Sequence, residues 1–303
     1  MANSFDTVAV DVIAQEALTR LIQKLEFVKN IHKNFSTTAL AKGQNVVTHI
    51  LTEMSAQDYD TSYLNNAEDA VQTDVSIPLD QHKHVTFKLT DAERDASNID
   101  LFNRFAEVAS YGLAKGIVDH LLGTATLGAN GSNINASKNI DLVSGGLTMD
   151  SLIDLGAKFD ADGIPESQRW LVAHPSVLAD LEKEVTAVTN ATFNVSNSIV
   201  EGGVNRIRGF NIYSYNGGIL TSTADKIGAV AGFGDSLALV TAPPSSPPDS
   251  AGSSLNYISD PSTGLTIQRR QWYDANTGTY AFALTLYMGA VLTADTRMYK
   301  IQN

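Results

Sequence analysis

A chain of 303 residues with 43% apolar and 18% charged side chains has the balance of a globular protein and not of a disordered one. It has no cysteine, which excludes disulfides, thiolate zinc sites and a cysteine nucleophile. A formal charge of −12 argues against a general nucleic-acid binder, which carries a basic face, but not against a protein that merely encloses nucleic acid.

The first residues lack the basic start and unbroken apolar core of a signal peptide, and no apolar run is long enough to span a bilayer. A soluble, intracellular setting without a membrane partner is expected. Residues 8–33 place Val8, Val12, Leu18, Leu21, Leu25 and Val28 mostly three or four apart, which predicts an amphipathic helix. Its apolar face packs either on another chain or on its own domain; the pattern does not choose.

Residues 44–90 change character. QNVVTHIL and HVTFKL have the β-branched content and partial alternation of strands. Between them lies a long polar stretch. From Lys42 to Asp100 there are eleven Asp and Glu against four Lys and Arg, a local net charge of −7. Two strands flanking an acidic middle predict an extended hairpin that stands off the core, and a loop so long is usually functional.

The clearest helix covers residues 99–122, capped by Ser97 or Asn98. Leu101, Phe105, Val108, Gly112 and Leu113 mark its stripe, continued by Gly116, Ile117 and Leu121. Gly112 and Gly116 each cost about 1 kcal/mol against Ala in a helix, so a close backbone neighbour is expected there. Residues 123–147 read as a Gly/Asn/Ser-rich loop, and a further helix runs from near Asp150 to Gly163. RWLVA, FNIYSY and KIGAVAGF follow as strands, PPSSPP at 243–248 as a stiff loop, and three strands with a turn at Asn276-Thr277-Gly278 close the chain. This mixture predicts an α+β fold.

The residues that invite a catalytic or metal reading do not assemble into one. Asp160-Ala161-Asp162-Gly163 begins like a calcium loop, but the twelfth position is Leu171 where a bidentate Glu is needed, so it reads as a helix-ending turn. His82 and His84 share one face of a strand, and with His49 or Asp80 they could form a zinc site; solvated polar residues are the plainer reading. His174 has no serine in a nucleophile-elbow pattern, and Arg169 beside Trp170 reads as a structural ion pair or stack. Gly228, Gly232 and Gly234 do not have dinucleotide-binding spacing. No catalytic residue and no cofactor is expected.

Three segments carry a resemblance. In PESQRWLVAHPSVLADLEKE, Pro165, Arg169, Val172, Pro175 and Leu181 stand at the matching places of a segment common to tailed-bacteriophage major capsid proteins. GGVNRIRGFNIYSYNG, residues 202–217, is similar to a second element of that family, with Tyr215 where Ser is usual. The ending resembles the family's terminal strands, with Leu286-Tyr287-Met288-Gly289 at its late motif. The three occur in family order over residues 163–303; the N-terminal half matches by architecture alone.

The resemblance implies the Hong Kong 97-type capsid fold. Residues 1–40 would be the N-terminal arm, 41–92 the extended loop, 93–144 with 263–303 the peripheral domain, and 145–262 the axial domain. The implied role is a coat protein of the virion, assembled in the host cytoplasm from hexamers and pentamers of itself. Portal and scaffolding proteins would be partners. A separate scaffold is expected because no long charged extension precedes the arm and Met1 begins the chain. Enclosed double-stranded DNA would be met without sequence-specific contact, through basic residues such as Arg206 and Arg208. The lysine–asparagine crosslink of some branches is not carried over to Lys42, Lys83 or Lys88. Glu53, Asp58, Asp60, Glu68 and Asp69 on the hairpin, facing Arg269, Arg270 and Arg297 of a neighbour, are the expected intersubunit contacts. Two alternatives stand beside this reading: an encapsulin-type compartment of the same fold, and a soluble metal-dependent enzyme using His49, His82 and His84.

Overall fold

The computed structural model describes residues 18, 25, 27–35, 41–51, 56, 58, 59, 72–91, 100–142, 146–192, 206–223, 225–234, 236–245, 253–259 and 265–302. The described elements, in chain order, begin with strands β1 (His32–Phe35), β2 (Asn45–Leu51), β3 (Gln72–Pro78) and β4 (Gln81–Thr90). Helix α1 (Asp100–Leu121), strand β5 (Asn139–Asp141), helix α2 (Met149–Ala161), strand β6 (Arg169–Ala173) and helix α3 (Pro175–Thr192) follow. Strands make up most of the rest, with a 3-10 turn at Asp295–Arg297 before the last: β7 (Arg206–Ile207), β8 (Phe210–Ser214), β9 (Ile227–Phe233), β10 (Leu237–Ala242), β11 (Ser253–Ser259), β12 (Thr266–Asp274), β13 (Thr279–Leu292) and β14 (Met298–Gln302).

These strands make two six-stranded sheets and a separate hairpin. The first sheet runs β1-β10-β13-β12-β11, with β4 on the other edge of β13. The second runs β5-β14-β9-β6-β8-β7, and β2 pairs only with β3. The return strand of the hairpin is therefore Gln72–Pro78, with Val46 opposite Ile77. The expected partner, HVTFKL, instead joins β13 antiparallel, with Phe87 opposite Phe282. The last strand, Met298–Gln302, leaves its two predecessors and enters the second sheet between β5 and β9.

Strand alternation divides the core. Every residue of β6 is buried. Trp170 and Val172 point into a cluster shared with α1 and the first sheet. Leu171 and Ala173 point the other way, into a cluster with Leu152, Leu155 and Phe159 of α2 and Val177 and Leu181 of α3. The second sheet is thus covered on both faces, which is why RWLVA reads as a continuous apolar run without alternation. Each large apolar side chain buried this way contributes about 1.5–3 kcal/mol.

Helix α1 lies on the first sheet with Ala109, Leu113, Ile117 and Leu121 buried, a stripe at steps of four. Val108, expected on that stripe, is 68% exposed. The close backbone expected at Gly112 and Gly116 is not what meets them among the described residues. A Cβ at Gly112 would lie 3.7 Å from Val85 Cγ2 and one at Gly116 3.9 Å from Lys83 Cδ, both side-chain atoms of β4.

The helix expected over residues 8–33 does not reach position 33. Phe27–Asn30 is a 3-10 turn, and His32–Phe35 is a strand parallel to β10. The edge of β10 would otherwise be an unpaired ladder, and β1 covers it. Phe27 meets Trp170 edge-on at 5.0 Å and Tyr213 at 5.9 Å, and Asn30 Nδ2 donates to Tyr213 Oη at 2.5 Å. Leu18, Leu25, Phe27, Val28 and Ile31 are all buried by their own chain, so these residues pack on their own domain, while residues 8–17 lie outside the described residues.

Candidate assembly surfaces

Among its described residues, the hairpin packs at its root and is open beyond it. At its root Gly43 N donates to the Leu79 carbonyl at 2.8 Å, and Leu79 N to the Gln44 carbonyl at 3.0 Å. Ile77 and Leu79 are fully buried against Ala238, Val240 and Ala242 of β10, with Val46 packed beside them. Gly289 of β13 passes so close beneath Pro78 that a Cβ there would overlap the Pro78 carbonyl oxygen. Beyond the root the strands are wet: Val47 is 48% exposed, and His49 Nδ1 lies 2.7 Å from Asp74 Oδ1 with both side chains open to solvent. Of the expected acidic contacts, Asp58 is exposed; Glu53, Asp60, Glu68 and Asp69 lie outside the described residues.

The three expected arginines are placed differently. Arg269 is 1% exposed, inside the chain and not on its surface. Its neighbour Arg270 points the other way and is part-exposed, bonded through Nε to Gln268 Oε1 at 2.8 Å. Adjacent strand residues face opposite sides of a sheet, so only one of the pair can reach solvent here. Arg297 is part-exposed, stacked 5.9 Å from the Phe233 ring at the rim of a cleft of about 370 Å³ shared with Lys138, Asp162 and Pro165.

That cleft is built by structural ion pairs. Lys138 Nζ reaches Asp162 Oδ2 at 2.5 Å, and Tyr299 Oη donates to the same oxygen at 2.6 Å. Burial alone would lower the Lys138 pKa, but its bonds to Asp162 and Tyr299 hold it above the ordinary lysine value. Arg169, 1% exposed, donates to Asp160 at 2.6 Å, to the Pro165 carbonyl at 2.9 Å and to the Ile164 carbonyl, with the Phe159 and Phe210 rings 5.3 and 5.7 Å away. Asp160 and Asp162 are therefore engaged by cations of the chain, and Gly163, at φ +71°, ends the helix as expected. His174 accepts from the Ser176 amide at the start of α3, a structural role.

The outer face of the first sheet, opposite α1, holds a shallow groove of about 340 Å³. His82, His84, Thr86, Arg270, Trp272 and Thr285 line it, and no carboxylate does. The two imidazoles stand 6.1 Å apart. His82 Nε2 is 2.6 Å from Thr285 Oγ1, and His84 Nδ1 is 3.2 Å from Thr86 Oγ1. Burial first, then His84, Arg270 and Lys42, lower the His82 pKa from its ordinary value. His49, the third ligand of the zinc reading, is on the hairpin with Asp74. Among the described residues no group of three or more His, Asp or Glu gathers to hold a metal.

One more contact joins the hairpin to the body. His120, at the C-terminal end of α1, has a side chain only 8% exposed, with Nε2 4.0 Å from Asp80 Oδ1 in the turn between β3 and β4. Burial lowers its pKa against the opposing pull of Asp80. Among the described residues, no helix is long and apolar enough to cross a membrane.

No protein-family model matches this sequence, and no curated protein does. Solved structures do match its shape. The capsid of Cyanophage P-SCSP1u superposes with a TM-score of 0.59 at 10% identity, over 90% of this chain and 86% of that one. The capsid of a native GTA particle gives 0.58 at 15% identity, over 92% and 89%. The capsid of Ralstonia phage GP4 gives 0.57 at 10% identity, over 90% and 86%. The α+β architecture is the fold of these capsid chains, as the three sequence motifs led one to expect.

Proposed function

We propose that the chain is the major coat protein of a tailed phage, a subunit that closes with copies of itself into an icosahedral shell around the genome. The observation that carries this is the extent of the structural likeness. It spans about nine-tenths of this chain and most of each capsid chain. A shell subunit needs large self-complementary surfaces and no active site. The arm, loop, peripheral and axial division belongs to the same reading. The first sheet with α1 then makes most of the peripheral domain, and the second sheet with α2 and α3 most of the axial one. Leu237–Ala242 and Met298–Gln302 tie the two together across that division.

Assembly on this reading uses hexamers and pentamers, with scaffolding and portal proteins as further partners, inside the host cytoplasm. DNA is enclosed without base-specific contact. The acidic hairpin works between subunits, with Arg270 and Arg297 as its basic counterparts. Each exposed ion pair contributes only about 0–1 kcal/mol, but the contact repeats at every subunit. The test is electron microscopy of the purified full-length protein, alone and with scaffold. Closed shells or capsomers are expected; a monodisperse monomer at high concentration with scaffold present would overturn the reading. Replacing residues 52–71 by a short Gly-Ser turn, which spares the buried Ile77 and Leu79, is expected to leave a folded subunit whose shells are lost or salt-sensitive.

A further inference from the structure

The cleft at the end of the second sheet gathers segments that are far apart in the chain. Lys138 comes from the approach to β5, Asp162 and Pro165 from the turn after α2, Phe233 from the end of β9, and Thr296 and Arg297 from the turn before β14. Its volume of about 370 Å³ falls within the range of small-molecule sites, about 300–1,000 Å³. Its charges do not cancel. Lys138 and Arg297 line it against one carboxylate, Asp162. That carboxylate is satisfied inside the wall, since its Oδ2 takes both Lys138 Nζ at 2.5 Å and Tyr299 Oη at 2.6 Å. The lining thus has an excess of positive charge on a chain whose formal charge is −12.

A third cation stands behind the wall. Arg169 lies opposite Phe233 across β6 and β9, and residues paired in this way share one face of a sheet. It is 1% exposed and holds the carbonyls of Ile164 and Pro165, both of which line the cleft, as well as Asp160. Asp160 is shared in turn with Arg208, at 3.9 Å. Among the described residues the Nη1 of Arg169 has no hydrogen-bond partner. Arg169 does not line the cleft, but its charge adds to the positive field there. Its bonds also hold the 160–165 turn in place before any ligand arrives, which lowers the ordering cost of binding.

We propose that this cleft binds a small molecule carrying a phosphate group, with the phosphate between Arg297 and Lys138 and the apolar body against Phe233 and Pro165. The Phe233 ring, 5.9 Å away, holds the Arg297 guanidinium at the rim, and a guanidinium presents a fork of N–H donors that matches two phosphate oxygens. The ammonium of Lys138 adds donors from a second segment, and the exposed Thr296 hydroxyl adds one at the rim. Donors from three side chains suit a tetrahedral group with three terminal oxygens better than a flat carboxylate with two. The site does not depend on the shell reading. On that reading, however, Arg297 also meets the acidic hairpin of a neighbour, so the unassembled subunit is the form to test.

The probes are inorganic phosphate and deoxyadenosine monophosphate, measured by equilibrium dialysis against the full-length subunit at low concentration and constant ionic strength. Each is expected to saturate at one molecule per subunit, the nucleotide about fivefold tighter or more because its base adds apolar contact. Arg297→Gln should weaken both by about tenfold or more, and Arg297→Lys, which keeps the charge and loses the fork, by less. Lys158→Gln removes a cation 6.0 Å from the same Tyr299 ring but outside the cleft lining, and should leave binding unchanged. Circular dichroism checks that each variant is folded. Duplex DNA at equal phosphate concentration should not displace the nucleotide, because the cleft admits one small molecule. The parent protein alone can overturn the proposal, by showing no saturable binding of either probe above a chloride control. So can binding that Arg297→Gln leaves intact, or that Lys158→Gln weakens as much, since the charge would then be diffuse. A nucleotide held no tighter than phosphate overturns the seating against Phe233 and Pro165, and displacement by duplex DNA overturns the small-molecule source of the phosphate.

Discussion

Gly289 is where the hairpin root and the first sheet touch backbone to backbone, and Gly289→Ala tests whether that contact fixes the hairpin. A Cβ there would overlap the Pro78 carbonyl oxygen, lie 2.9 Å from the Pro78 carbonyl carbon and 3.3 Å from Ile77 Cγ2. Distances under 3.0 Å are essentially never seen for real Cβ atoms. The obstacle is main chain, which cannot rotate aside as a side chain would. Either β3 lifts from β10, exposing part of Ile77 and Leu79, or β13 shifts within a sheet whose neighbours hold it on both edges. Overpacking of this kind costs about 1–3 kcal/mol. At about 2–4 °C per kcal/mol for a chain of this size, the midpoint of thermal unfolding of the unassembled subunit should fall by about 2–12 °C. Limited proteolysis should also cut the 41–51 and 72–80 strands sooner than in the parent. A variant as stable as the parent, with hairpin protection unchanged, would refute the close approach and with it the placement of the root.

Two further outcomes follow from the same geometry. Gly116→Ala, and Gly112→Ala beside it, should each stabilise the subunit by about 0.5–1 kcal/mol in urea unfolding, because the new methyl meets only side-chain atoms at ordinary contact distance and the helix gains. His120 is held below the ordinary imidazole range by burial, so the unfolded chain takes up the proton first. Its contribution to stability is therefore complete above the ordinary histidine pKa and declines as pH falls through it; His120→Gln should flatten the unfolding free energy between pH 7.5 and pH 5 relative to the parent.

Much of the local structure was legible along the chain. RWLVA, FNIYSY and KIGAVAGF are strands because apolar and β-branched residues run together between breakers. The turn at Asn276–Gly278 forms where Asp274 Oδ1 accepts from the Asn276 amide at 3.0 Å and Gly278 takes a φ of +59°. Arg169 was readable as structural from its place between a turn and a buried strand. The acidic middle of the hairpin was readable from charge alone.

The pairing of strands was not. TDVSIP is too sparsely apolar to announce a strand, and it becomes one because β2 lies opposite it. HVTFKL has the pattern of a strand, but its pattern does not name its partner; that partner, β13, lies about two hundred residues away, as the bond from His82 to Thr285 spans 203 positions. Leu237–Ala242 carries no strand signal of its own strong enough to stand out, although every residue in it is buried, because the elements that bury it come from residues 32–35, 77–79 and 287–292. The same limit applies to the candidate contacts. Sequence could nominate Arg269 and Arg270 together, but only the register of β12 against β13 decides that one is buried and the other faces the groove. Periodicity and composition act over a few residues and so fix helix, strand and turn. Which face of an element is covered depends on segments far apart in the chain meeting in space, and that is decided only when the whole chain has closed on itself.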